Sequence, residues 1–555
     1  MKKDKRLYLV VAALAVVGLL FTACQPEVVE VIKEVPVESI VVKEVEVERI
    51  VEVEKEVEKI VEVEVSADAG APALAYKGEL SVLFTGGYAP AEGLTDVQKA
   101  SGATGNSYTA SLIADWEDMH PGIDVVPFPE PQAPPGAQTA NIWFMQTAIA
   151  AGEGPDIYTY YGTGKYDGME GDKGLLYPIG TFLRQPNPYV AAGQPGSDAW
   201  IDMWVNEFTG IMAQSVSPGG KYYSIPLETA APSLIYYNKT KLDEYGLTFP
   251  QPTYIGELVD LLKTLDSKGH AAPMGIMCCS PASNWDSLMF DHSIIEPMAL
   301  ENWQLSYNSA SYDNLFEQEE FARAVKKGLF KASDPEFLDT LRLAKSWVPY
   351  VTEEWKQGDQ PQLANFLSGD YLVRISGSWE AEAIFGSDAL DFEVGVASGP
   401  VVGMDDSPYA LEEEPGPFVG GPAGAYVINN AAADRGTLLA AIDFMQYYTT
   451  QLSVINQGNP GLVPVLKNVT PNVRPEVAGP AAAHIPTGHM RWSSADHVDQ
   501  EAREVVFSTL QEAYMDVITL EEAGEIIQEA WEAWADRMIS SYSTDAGGTW
   551  DLSQW

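Results

Sequence analysis

The stretch Ala231–Gly269 reads "APSLIYYNKTKLDEYGLTFPQPTYIGELVDLLKTLDSKG". It opens on a short apolar, β-branched and aromatic run, changes to a helical pattern, passes through a proline-rich turn and resumes as a helix. Thr253, followed by Glu257 and Leu258, marks the second helix start, and Gly269 marks its end. A strand handing over to helices in this way belongs to an α/β layer architecture.

The same logic recurs on both sides. "GELSVLFTGGYAPA", from Gly78, is an apolar strand entering a glycine turn. In "YTASLIADWEDMHPGIDVVPFPEP", Leu112, Ile113 and Trp116 fall at helical spacing, His120-Pro121-Gly122 stops the helix, and "IDVVPF" restarts as a strand. "GEGPDIYTYYG" gives a turn, a strand and an aromatic loop. "MGIMCC" and "DYLVRISGSWEAEAIF" supply two more strands, the second running through a glycine turn into a helix. "AGAYVINN" and "TLLAAIDFMQYYTT" repeat the pattern, and "EEAGEIIQEAWEAWADRMISSY" is strongly helical. About 480 residues follow residue 77, more than one core organises, so at least two lobes are expected.

The N-terminus has a different character. Lys2, Lys3, Lys5 and Arg6 precede an apolar run from Leu7 to Phe21 that ends at Thr22-Ala23-Cys24. A basic start, a short apolar run and small residues describe an export signal, too short for a comfortable membrane span. From Glu27 to Val65 the chain is a low-complexity segment dominated by valine, isoleucine, glutamate and lysine, and from Val45 to Val65 it alternates with period two. Pro36 and the break of any heptad at Glu64 disfavour a lasting coiled coil, so this segment reads as a charged, extended spacer. Residues 25–77 would reach up to about 170 Å extended and about 75 Å as a helix. Whether neighbouring copies pair along their valine faces stays open.

The net charge of −46 becomes about −49 once the signal is removed. Such a surface repels nucleic acid and anionic headgroups. Of the three cysteines, Cys278 and Cys279 are adjacent, so they form either a vicinal disulfide or two buried thiols. His120, His270, His292, His484, His489 and His497 do not fall at metal-ligand spacing, and no phosphate-binding glycine loop with lysine appears. Glu380 and Glu382 lie two apart on a helix and point apart, a poor arrangement for a glycosidase pair.

Taken together, "LIADWEDMHPGIDVV", "GEGPDIYTYY", "PSLIYYNKTKLDEYGLTFPQPTYIGEL", "NFLSGDYLVRISGSW", "GPFVGGPAGAYVINN" and "DFMQYYTTQLSVINQGNPGLVPV" resemble the family 1 extracellular solute-binding proteins, the maltose-binding-protein-like receptors of sugar-importing ABC transporters. The segments run in the family's order over most of the chain from Gly78. The Tyr-Asn-Lys step before "GL..P.P" and the "F.SG......SGSW" pair are the most specific. The resemblance implies an α/β, two-lobed periplasmic-binding-protein-like fold with an interlobe hinge. Here it follows a signal peptide (1–23) and a lipidated Cys24 with its Val/Glu spacer (24–77). Lobe 1 would begin with 78–230, lobe 2 comprise 231–392, and 393–466 return to lobe 1. The mainly helical 467–555 would complete the lobes. The first crossing is expected near Ala231–Tyr236 and the return near Glu393–Pro400.

Sugars offer hydroxyl rims and apolar C–H faces, so a receptor needs flat aromatic rings and polar groups. By family position Trp379 would stack on sugar, Tyr160 and Tyr161 would supply first-lobe contacts, and Trp285 a second-lobe one. Gly86, Gly87 and Tyr88 end the first strand, and Gly420 and Gly421 play a similar part, glycines letting a ligand approach backbone N–H groups. Glu228 is a candidate acceptor for hydroxyls. The expected function is capture of a mono- or oligosaccharide and delivery to ABC permease transmembrane subunits, at the outer face of the cell membrane through a lipid anchor. The resemblance implies no catalysis, cofactor, metal or nucleic acid. A sensory module for a membrane kinase, and a surface glycosidase, are the alternatives.

Overall fold

The computed structural model describes residues 73–84, 86–96, 99, 104–129, 145–149, 151–160, 171–204, 217, 219–229, 233–276, 284–303, 318–353, 363–410, 422–458, 463–467, 469, 472–482 and 498–555. The export signal, Cys24, the spacer through residue 72, Tyr161, Cys278, Cys279, Gly420 and Gly421 lie outside them.

Ten strands carry the architecture: β1 (Gly78–Leu83), β2 (Ile123–Pro127), β3 (Ile157–Tyr160), β4 (Ser224–Thr229), β5 (Leu234–Asn238), β6 (Met274–Ile276), β7 (Val373–Ser376), β8 (Val394–Ala397), β9 (Pro422–Ile428) and β10 (Val463–Pro464). They form two sheets, one of order β10-β4-β9-β3-β1-β2 and one of order β6-β7-β5-β8. The larger is mixed: β1 runs parallel to β2 and β3, while β9 lies antiparallel to β3 and β4. In the smaller, β6 and β7 are parallel and β5 runs against β7 and β8. The helices used below are α1 (Ser107–Met119), α2 (Lys239–Glu244), α3 (Ile255–Ser267), α4 (Asn284–Asn302), α5 (Gln318–Lys327), α6 (Pro335–Trp347), α7 (Ala381–Phe385), α8 (Leu438–Thr450), α9 (Gln500–Tyr514) and α10 (Leu520–Tyr542).

In the first lobe, Asn106 caps α1 by accepting from the Tyr108 and Thr109 N–H groups at 3.0 and 3.1 Å. Leu112, Ile113 and Trp116 face inward, as their spacing predicts. The "GPD" turn before β3 has a physical cause. The buried Asp156 carboxylate accepts from Ser81 N–H (3.0 Å) and Oγ (2.9 Å), Arg435 Nη1 (3.0 Å) and Thr437 Oγ1 (2.7 Å). One side chain therefore joins β1, β3 and the start of α8.

From Ser233 onward the quoted stretch folds as expected. In β5, Leu234 and Tyr236 pack into one apolar cluster and Ile235 into another, so both faces of the smaller sheet are covered. Asn238 Oδ1 accepts from Lys241 N–H at 2.8 Å and caps α2. Gly246, at φ +65°, ends the helix, with Leu247 N–H bonding the Leu242 carbonyl at 2.9 Å. That left-handed step with its long-reach bond is the reason for glycine here. Helix α3 begins one residue later than the threonine signal suggests: Tyr254 is its cap, and the Thr253 hydroxyl donates back to the Pro250 carbonyl at 2.9 Å.

Helices α4 to α6, α9 and α10 build the other layer of the second lobe. Thr519 and Glu522 form a reciprocal capping box at the start of α10. Trp531 and Trp534 on α10 are fully buried and pack on Phe321 of α5, with centroid distances of 5.3 and 5.2 Å. The C-terminal segment thus packs chiefly on the second lobe.

The chain passes between the sheets from β4 to β5, again between β8 and β9, and again after β10. The return differs from the sequence-based expectation. Val394–Ala397 pairs antiparallel with β5 and closes the second sheet, so the crossing comes after Ala397. Its apolar alternation is the same for an edge strand of either sheet, and only long-range pairing decides between them.

Replacing Asp156 by alanine leaves the Ser81 N–H without its acceptor and removes the carboxylate shared by Arg435 and Thr437, which typically costs about 3 kcal/mol. Urea unfolding should show a lower midpoint at unchanged slope, whereas an unchanged midpoint would refute the joining role given to Asp156.

Candidate functional site

The corner between β7 and α7 is built around a buried charge. Arg374 lies mid-strand with its side chain 2% exposed. Its Nε and Nη2 donate to the two oxygens of Glu380 at 2.6 and 2.7 Å, and Nη1 donates to Tyr371 Oη at 2.6 Å. Burial opposes the guanidinium's charge, but the bonds to Glu380 outweigh it and its pKa is raised. Tyr236, on the neighbouring strand, donates to the Gly377 carbonyl at 2.9 Å. Its phenol pKa is pushed up by burial first and by Glu380 second. Both ends of the Gly377–Glu380 turn are therefore held.

Trp379 sits between these anchors, half-buried. Its ring lies so close across Gly377 that a Cβ there would be 2.1 Å from the ring, which is why the "SGSW" turn needs glycine. The short 3-10 turn Ser378–Glu380 runs straight into α7. Glu382 follows three residues after Trp379, in the first turn of α7.

The first lobe offers a different group. Tyr88 is 3% and Glu228 1% exposed, and the Tyr88 hydroxyl donates to Glu228 Oε2 and approaches Asn456 Oδ1 at 3.3 Å. Burial alone raises the Glu228 carboxyl well above its ordinary 4.5. In this structure Glu228, a candidate acceptor for ligand hydroxyls, is turned to a protein partner. It lies on a central strand, paired with Ala423 of β9 and Pro464 of β10, and its side chain is spent on Tyr88.

Between these groups lies an open cavity of about 690 Å³ lined by Glu382, Gln457, Asn472, Val473, Arg474, Pro475 and Glu476. Its volume suits a small molecule. Glu382 comes from α7, Gln457 from the turn next to Asn456, and the rest from the third crossing. Asn472 Nδ2 donates to the Asn456 carbonyl at 2.8 Å, and Arg474 Nη1 donates to Glu382 Oε2 at 2.8 Å. The crossing is thus tied to one lobe at residue 472 and to the other at residue 474. The Arg474 guanidinium also lies 5.5 Å from the Phe385 ring centre.

The remaining candidates are dispersed. Gly86, Gly87 and Tyr88 form one 3-10 turn after β1. Tyr160 ends β3 and Trp285 begins α4, their side chains falling outside what the structure describes. Sequence reasoning passed over Arg374, Asn456, Gln457, Asn472 and Arg474. An arginine inside the apolar run "YLVRIS" was the one local signal, because a mid-strand charge demands a partner. Among the described residues no group of three metal-ligating side chains occurs, and no helix is long and apolar enough to cross a membrane.

A family model for bacterial extracellular solute-binding proteins matches residues 99–451, more than half of the chain. A search of curated proteins found no match. Solved structures of similar fold include a chitin oligosaccharide binding protein, at 18% identity and TM-score 0.55, covering 83% of this chain and 99% of that one. Another is the GacH receptor of Streptomyces glaucescens, solved unliganded and with acarbose, at 15% identity, TM-score 0.55, 83% and 99% coverage. A third is maltose-bound MalE3 of T. maritima, at 14% identity, TM-score 0.54, 82% and 99% coverage. At these identities the likeness is one of fold.

The Glu228 geometry sets a pH dependence. A carboxyl whose folded pKa is raised stabilises the fold fully below the unfolded value near 4.5, and that contribution is lost as pH climbs toward the folded value. Glu228→Gln removes the titration. Its melting temperature should change less than the wild type's between about pH 5 and pH 8, and should exceed it at the upper end. Parallel melting profiles would contradict the assignment.

Proposed function

Because the chain belongs to the bacterial extracellular solute-binding proteins, we propose that it captures a carbohydrate between its two lobes outside the cytoplasm and hands it to the transmembrane subunits of an ABC importer. The observation that carries this reading is the polar cavity of about 690 Å³ lined by Glu382 of the second lobe, Gln457 of the first and Asn472 to Glu476 of the crossing between them, with the anchored turn that carries Trp379 leading into Glu382. A flat ring offers a surface for sugar C–H faces, and the amide and carboxylate side chains around the cavity offer partners for hydroxyls. The sugars bound by the chitin oligosaccharide binding protein, by GacH and by MalE3 support the same substrate class.

Capture involves no covalent step. A ligand touching both lobes biases the chain toward a closed arrangement by its differential affinity, and the crossings absorb the movement. The Asn472–Asn456 and Arg474–Glu382 bonds tie the third crossing to the two lobes and would limit that motion. Cys24 and the valine-glutamate spacer supply a lipid anchor with reach. The glycosidase alternative loses ground because Glu380 is taken by Arg374 and Glu382 by Arg474. A sensory module would use the same cleft, and a permease encoded beside this chain favours transport over sensing.

A panel of neutral mono- and oligosaccharides tests the reading. A true ligand at a hundredfold its dissociation constant adds about 2.7 kcal/mol of stability, seen as a higher melting temperature. Trp379→Ala should weaken the best ligand at least about tenfold in calorimetry, with the unliganded melting temperature little changed. Equal affinity in the variant would remove Trp379 from the site.

A further inference from the structure

The charge of the cavity is arranged unusually for a pocket that contains an arginine. Arg474 spends Nη1 on Glu382 Oε2 at 2.8 Å, and Nη2 and Nε on the two oxygens of Glu476 at 3.1 and 3.3 Å. A free guanidinium fork is a natural receptor for carboxylates and phosphates. Here the fork is already occupied from both sides. The charged lining is one cation against two carboxylates, a net charge of −1, and the rest is Gln457, Asn472, Val473 and Pro475. An anionic ligand would have to displace Glu382 or Glu476 from Arg474 and then sit beside the displaced carboxylate. A hydroxyl, or an ammonium group, needs no displacement. It donates to carboxylate lone pairs that the guanidinium leaves unused.

We propose that this cavity is a charge-selective subsite that admits uncharged and amine-bearing sugar units and rejects sugar acids and sugar phosphates. The inference rests on the carbohydrate reading above and adds to it a chemical class set by three residues. Its selectivity is electrostatic and open to solvent, so it is strongest at low ionic strength.

The test uses trisaccharides matched in linkage, α-1,4 or β-1,4, built from glucose, glucosamine or glucuronate. Their affinities for the full chain are compared by calorimetry at low salt and pH 6. In the linkage series that binds, the glucose and glucosamine forms should bind at least about tenfold more tightly than the glucuronate form. The double variant Glu382→Gln with Glu476→Gln, at exposed positions, frees the guanidinium and should raise the glucuronate-to-glucose affinity ratio at least about tenfold. Arg474→Gln should shift preference further toward the glucosamine form. Equal binding of glucose and glucuronate forms by the wild type, or an unchanged ratio in the double variant, would overturn the subsite while leaving the carbohydrate reading intact. A chain that binds none of the probes overturns both.

Discussion

A charged residue in the middle of a buried strand constrains everything around it. Arg374 could not remain in β7 without a carboxylate, because desolvating an unpaired guanidinium costs far more than a strand contributes. Glu380 meets it with two short bonds, and Tyr371 takes a third donor. Such a pair adds little net stability over an apolar replacement, but removing one partner typically costs about 3–5 kcal/mol. Its value lies in geometry. It fixes where the chain turns after β7, and with the Tyr236 bond to Gly377 it holds the turn that carries Trp379 and leads into Glu382 of the cavity lining.

The second constraint is the repeated passage of the chain between two sheets. Each sheet is completed by strands far apart in sequence: β9 and β10 return to pair with β3 and β4, and β8 closes on β5. Neither lobe is a continuous segment, so the crossings join parts that must fold together. The third crossing is the most informative. Asn472 and Arg474, two residues apart, are bonded to opposite lobes, and the cavity opens on the same five residues. In this account ligand capture and lobe geometry meet at one short segment.

Local chemistry was legible in the sequence wherever it was decided locally. The strand-to-helix handover of β5 and α2 and the second helix ending near Gly269 follow from residues within a few positions of one another. What escaped depended on distance. Nothing near Glu228 in the sequence points to Tyr88, 140 residues away, which meets it only in the folded sheet. Arg474 and Glu382 lie 92 residues apart and meet only across a crossing. The point of return after β8 was missed for the same reason. Periodicity reports which face of a strand is buried, but not which sheet receives it.

The claim that ligand binding moves the lobes against each other is tested most directly by the interlobe distance. Spin labels at Asp118→Cys on α1 and Glu529→Cys on α10, two exposed positions, would report it, with the native cysteines replaced by serine. The account predicts a distance distribution that shortens and narrows when a bound sugar saturates the chain. A sugar that binds by calorimetry and leaves the distribution unchanged would contradict it.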